Sequence, residues 1–170
     1  MKNSLPGRGK VLEIYLIQHA KAKPREVDPE QPLTGEGAES FRKVAEHVAR
    51  LNIDLGKIYH SGKLRAAQTA EILAERTGKT GDLQARPGME PTDDVKPTAE
   101  WLHEQQAKGV AAVTIVGHLP FLDKLTSLLT SGNEDAGVVS FHNGGVVKLK
   151  SKSLRRGFSV EGIITPEILT

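Results

Sequence analysis

A chain of 170 residues, 38% hydrophobic and 26% charged, has the length of one globular domain, and its composition argues against both a disordered polymer and a membrane-resident chain. Its 23 basic and 21 acidic residues leave a formal net charge of +2, too even a balance for a nucleic-acid footprint, and the lack of cysteine removes disulfides, thiolate nucleophiles and cysteine-ligated metals. No apolar run approaches the roughly 18 residues that cross a bilayer, and Met1 to Lys10 lacks the apolar centre of an export signal; the expectation is one cytoplasmic domain over 1–170, with 1–10 a flexible tail and no membrane partner.

Val11 to Ile17 is an apolar run broken only by Glu13, short and rich in strand formers, and predicts a first buried strand. After a loop with Pro24, Pro29 and Pro32, Thr34 opens a segment in which Phe41, Val44, Ala45, Val48 and Leu51 recur at helical spacing. Lys57 to Tyr59 predicts a second strand, followed by a helix over about Leu64 to Thr77 that Gly78 stops. Leu83 to Arg86 suggests a short strand, and a Pro-rich loop leads to a helix around Thr98 to Lys108. Ala111 to Val116 predicts another strand, and Pro120 suits the first turn of a helix with Phe121, Leu125, Leu128 and Leu129 on one face. Gly145 to Lys150 and Gly157 to Ile164 predict a closing edge hairpin. This alternation implies a three-layer α/β/α fold around a mostly parallel sheet with an antiparallel edge strand.

Three strands run straight into polar residues: Ile17 into Gln18 and His19, Tyr59 into His60 and Ser61, Val116 into Gly117 and His118. Ligands bind at the carboxyl ends of strands in open parallel sheets, so these groups converge despite their distance in sequence. Arg65, four residues past Ser61, adds a guanidinium fork suited to phosphate, and helix starts near Leu64 and Pro120 aim free amides at the same edge. A phosphate anion is the ligand this pattern fits. Gly7, Gly9 and Lys10 precede the first strand and so do not form a phosphate loop, and His47, His103 and His142 read as solvated or structural. Zinc ligation by His19, His60 and His118 is a competing chemistry, unsupported by any short ligand pair; the expectation is no cofactor and no metal.

The segments LIQHAKA, PLTGEGAESFRKVAEHV, HSGKLRAAQTAEIL and GHLPFLDKLTSLL, with the TPEIL finish, resemble in order the motifs of the histidine phosphatase, or phosphoglycerate-mutase-like, superfamily, and within it the small SixA-type protein phosphohistidine phosphatases. The resemblance implies His19 as the nucleophile that accepts a phosphoryl group, with His118 and Arg65 on the phosphoryl oxygens. It puts Glu90 where a general acid for the leaving group belongs, with Asp93 and Asp94 as nearby alternatives, and implies a phosphohistidine-bearing protein as substrate, with a small phosphate ester as the alternative. The family's Arg-His-Gly motif here reads Gln18, His19, Ala20. Gln18 supplies a neutral hydrogen bond to phosphate where the family has a charged fork, so reduced turnover, or a phosphate- or phosphoprotein-binding module of the same fold, is the alternative function.

Overall fold

The computed structural model describes residues 10–153 and 156–169, so the expected tail falls, but for Lys10, outside the described residues. Successive side chains of a strand point to opposite faces, and that period organises the interior. In β1 (Glu13–Gln18), Ile14 and Leu16 enter one core while Tyr15 and Ile17 enter the other; in β4 (Ala112–Gly117), Val113 and Ile115 oppose Ala112 and Val116 in the same way. A strand buried on both faces has to be apolar almost throughout, as the sequence of β4 is.

The first core lies under α3 (Lys96–Ala107) and α4 (Phe121–Ser131), the second under α1 (Gly35–Arg50) and α2 (Leu64–Thr77). Side chains such as Phe41 and Phe121 are fully enclosed, and each buried group of that size contributes about 1.5–3 kcal/mol. With β2 (Lys57–His60), β3 (Leu83–Ala85), β5 (Val146–Ser151) and β6 (Phe158–Ile164), the sheet order is β3-β2-β4-β1-β5-β6. The β3-β2-β4-β1 block is parallel; β5 runs antiparallel to β1, and β6 pairs antiparallel with β5 and forms the edge itself. This is a three-layer, mostly parallel α/β fold.

The first strand begins two residues later than its apolar run suggests, because the Leu12 amide donates to Ser151 Oγ at 2.9 Å and Val11 is exposed. The third helix begins at Lys96, with Pro97 in its first turn; its N-cap Val95 makes no side-chain cap, so the usual polar signal is missing.

Two contacts fix the chain after β1. Thr34 caps α1 by accepting from the Gly37 amide at 2.9 Å, and its own amide donates to the Lys21 carbonyl at 2.9 Å. A Cβ on Gly37 would collide with that same Lys21 carbonyl, so the spacing of Thr34 and Gly37 is set by the loop they hold.

Candidate active site

β4 lies between β1 and β2 in register, Gln18 opposite Gly117 and His60 opposite Val116, so the residues that follow all three strands leave the sheet at one edge. The His19 amide extends the ladder by donating to the Gly117 carbonyl at 2.9 Å. The His19 and His118 rings then stand 5.1 Å apart between centroids, their planes at 53°.

His19 Nδ1 lies 2.7 Å from the Ala20 carbonyl oxygen. A carbonyl only accepts, so Nδ1 carries the hydrogen and the Nε2 lone pair is left for chemistry. Burial pushes this imidazole below its ordinary pKa of 6.5; the bond to Ala20 opposes that shift, and the Arg65 charge adds to it. His19 is therefore a neutral, oriented nitrogen base near pH 7. The Ala20 amide donates to Thr69 Oγ1 at 3.0 Å, and Thr69 in turn donates to the Arg65 carbonyl at 2.7 Å, which ties the loop after His19 to α2.

His118 is 1% exposed. Burial, then the nearby His19, Arg65 and Lys63 charges, bring its pKa down to about 3. Its Nε2 lies 2.6 Å from Ser61 Oγ, which also accepts from the Lys63 amide at 3.3 Å, while His118 Nδ1 is enclosed with no partner among the described residues. With Ser61 donating to Nε2, Nδ1–H is a free donor.

Arg65 lies in the first turn of α2, where the helix N-terminus adds positive potential, and burial lowers its pKa. Its Nη1 donates to Gln31 Oε1 at 3.4 Å, a long bond that leaves most of the fork available. Gln31 itself sits at φ 48° in the loop before α1.

The three acidic residues separate by what they hold. Asp93 accepts from the Glu90 amide at 2.8 Å, and Asp94 accepts from the Lys96 amide at 3.0 Å, so both serve local turns. The Glu90 carboxylate forms a 3.2 Å ion pair with Lys63, whose charge reaches His118. Of the three, Glu90 is the one tied to the imidazole edge.

Gln18 Nε2 donates to Asn143 Oδ1 at 2.8 Å, and Gln18 Oε1 is enclosed without a partner among the described residues. His60 does not join the imidazole pair: its Nδ1 accepts from the Gly62 amide at 3.1 Å. Among the described residues no three His, Cys, Asp or Glu side chains stand as a metal-binding group. His103 packs 5.5 Å from Phe158, centroid to centroid, beside a cavity of about 500 Å³ between α3, α4 and Gly157, and His142 stands 3.9 Å from Glu167. Ser61, Lys63, Thr69, Gln31 and Asn143 carry contacts that sequence reasoning assigned to none of them. For Thr69 a signal existed in the sequence, a polar residue within the apolar helical stripe of Ala66, Ala70 and Leu73, and the structure buries it.

Comparison with known proteins bears on the same residues. The family model of the histidine phosphatase superfamily (branch 1) matches residues 14–93, a span that includes His19, Arg65 and Glu90 and ends before His118. Phosphohistidine phosphatase SixA of Escherichia coli is 25% identical over 122 residues, 71% of this chain and 76% of SixA. An uncharacterized protein of Picosynechococcus sp. is 28% identical over 151 residues, 85% of this chain and 88% of that one. Among solved structures, the protein histidine phosphatase SixA complexed with tungstate superposes with a TM-score of 0.83 at 21% identity, over 93% of this chain and 99% of that one. Phosphoglycerate mutase from Bacillus anthracis gives 0.75 at 12% identity, over 95% and 96%. In fold and in the segment the family model matches, the chain is thus similar to the histidine phosphatase superfamily and to relatives of the SixA type.

Proposed function

We propose that this protein is a phosphatase that takes a phosphoryl group from phosphohistidine on a protein, holds it on His19, and passes it to water. The observation that carries the reading is the Nδ1–H bond from His19 to the Ala20 carbonyl, which leaves Nε2 unprotonated and aimed.

In the first step the Nε2 lone pair forms a bond to phosphorus as the substrate's P–N bond breaks. The electron pair of that bond stays on the leaving nitrogen, which takes up a proton. Arg65, the N-terminal turn of α2 and Nδ1–H of His118 meet the phosphoryl oxygens, where the charge of the transition state is spread. In the second step water bonds to phosphorus, the P–N pair returns to His19, and the proton of the attacking water leaves. Glu90, half exposed and paired with Lys63, takes the acid and base roles. A P–N bond departs more readily than an alkyl ester, so a carboxylate engaged with a lysine suits it. The E. coli relative, a phosphohistidine phosphatase, and the SixA structure with the oxyanion tungstate support the substrate class.

A second reading, a phosphoprotein-binding module with little turnover, is favoured by one feature, the neutral Gln18 held by Asn143. Purified protein incubated with a phosphohistidine-bearing protein and with p-nitrophenyl phosphate, beside His19→Ala, tests both. Release of phosphate from the phosphoprotein that disappears in His19→Ala is expected. Hydrolysis of p-nitrophenyl phosphate alone supports a small-ester phosphatase, saturable phosphoprotein binding without release supports the module, and turnover that survives in His19→Ala overturns the covalent route.

A further inference from the structure

Gln18 and Asn143 are 125 residues apart in sequence, yet the turn that bears Asn143 is built onto the end of β1: the Gly144 amide donates to the Gln18 carbonyl at 2.9 Å and to the His19 carbonyl at 3.2 Å. That turn places one carboxamide against another beside the nucleophile. One end of the Gln18 carboxamide is taken by the 2.8 Å bond from Nε2 to Asn143 Oδ1. The other end, Oε1, is buried and makes no hydrogen bond among the described residues.

A bare carbonyl oxygen beside an oxyanion is a repulsive arrangement, and an enclosed polar atom without a partner is disfavoured even without the anion. A carboxamide has a remedy that an arginine lacks, because its oxygen and nitrogen ends have nearly the same shape and opposite hydrogen-bonding sense. If both groups turn by half a revolution, Asn143 Nδ2 donates to Gln18 Oε1, the bond between them is kept, and Gln18 Nε2 moves to the enclosed position with its N–H groups free. We propose that Asn143 is a positioning residue for the phosphoryl site, turning together with Gln18 so that the Gln18 amide faces the bound oxyanion. This rests on the reading of the His19 surroundings as an oxyanion site. Asn143 thereby supplies, through a neutral pair, part of what the family's motif obtains from a permanent charge. The same side chain is exposed, on a turn outside the strands and helices, so its replacement leaves both cores untouched.

Isothermal titration with inorganic phosphate reads the proposal without needing turnover. Asn143→Ala is expected to weaken binding about tenfold, the loss of one hydrogen bond to a charged group. Asn143→Asp is expected to weaken it further, since a carboxylate only accepts and pins the Gln18 amide away from the anion. In the Gln18→Arg background, where no carboxamide has to turn, Asn143→Ala is expected to change the affinity by less than about twofold, so the two sites are coupled. Equal losses in both backgrounds make Asn143 merely structural and overturn the proposal, as does unchanged phosphate affinity in Asn143→Ala and Asn143→Asp. Absence of phosphate binding by the unmodified protein, or binding that Arg65→Ala leaves unaltered, overturns instead the oxyanion-site reading beneath it.

Discussion

The two flanks of the imidazole edge are built on different principles. On the α2 flank, a permanent charge at Arg65 sits in the first turn of a helix, Lys63 adds a second, and Ser61 holds a buried His118 whose pKa is brought down to about 3. On the β1 flank, two uncharged carboxamides, Gln18 and Asn143, face each other. A fixed guanidinium attracts an oxyanion at every pH and in any orientation, whereas a carboxamide has to be turned the right way. In a site where phosphoryl transfer rests on preorganised charge, the first flank is expected to carry most of the rate and the second to limit it.

The comparison breaks first at the residue between the flanks. His19→Ala is expected to lower hydrolysis of p-nitrophenyl phosphate by about 10³-fold or more, measured as kcat/KM, because neither flank supplies a nucleophile. Next comes the charged flank: Arg65→Ala is expected to cost about 10²–10³-fold in kcat, the loss of a transition-state donor, with Arg65→Lys recovering part of it. A small effect there would mean that the flanks are not so unequal. Gln18→Arg sharpens the contrast from the other side, with an expected gain of about 10–100-fold in kcat/KM; an unchanged rate would show that another group already fills that role. Gly37→Ala tests the wall behind both, since its methyl group meets the Lys21 carbonyl; the expected cost in denaturant unfolding is about 1–3 kcal/mol. The smallest signal is a titration. In an NMR pH series both imidazoles are expected to stay neutral as pH falls through 6.5, with His19 protonating below that value and His118 not until about pH 3. Protonation of His19 removes the Nε2 lone pair, so activity held at neutral pH is lost on the acid side of 6.5.

Much of this edge was legible in sequence because it depends on backbone periodicity. A residue that directly follows a parallel strand leaves at the carboxyl end of the sheet wherever the chain goes next, and three such strands in a parallel block put His19, Ser61 and His118 together. Thr34 was similarly readable as the opening of the first helical segment, which it caps by accepting from the Gly37 amide. What stayed hidden are the side-chain pairings between remote segments: Ser61 with His118, Lys63 with Glu90, Gln18 with Asn143. Those depend on how turns pack, and no local pattern encodes that. Sequence could mark Gln18 as a departure from the motif it resembles; that Asn143 accepts its hydrogen bond required the fold.

The central claim is that His19 Nε2 carries the phosphoryl group between substrate and water. Protein mixed with a radiolabelled phosphohistidine donor, quenched in alkali within the first turnovers and digested, reads this directly. The account predicts label on the peptide that contains His19, stable in base, released in acid and absent from His19→Ala. Turnover with no label on that peptide, or label that persists when His19 is replaced, would contradict it.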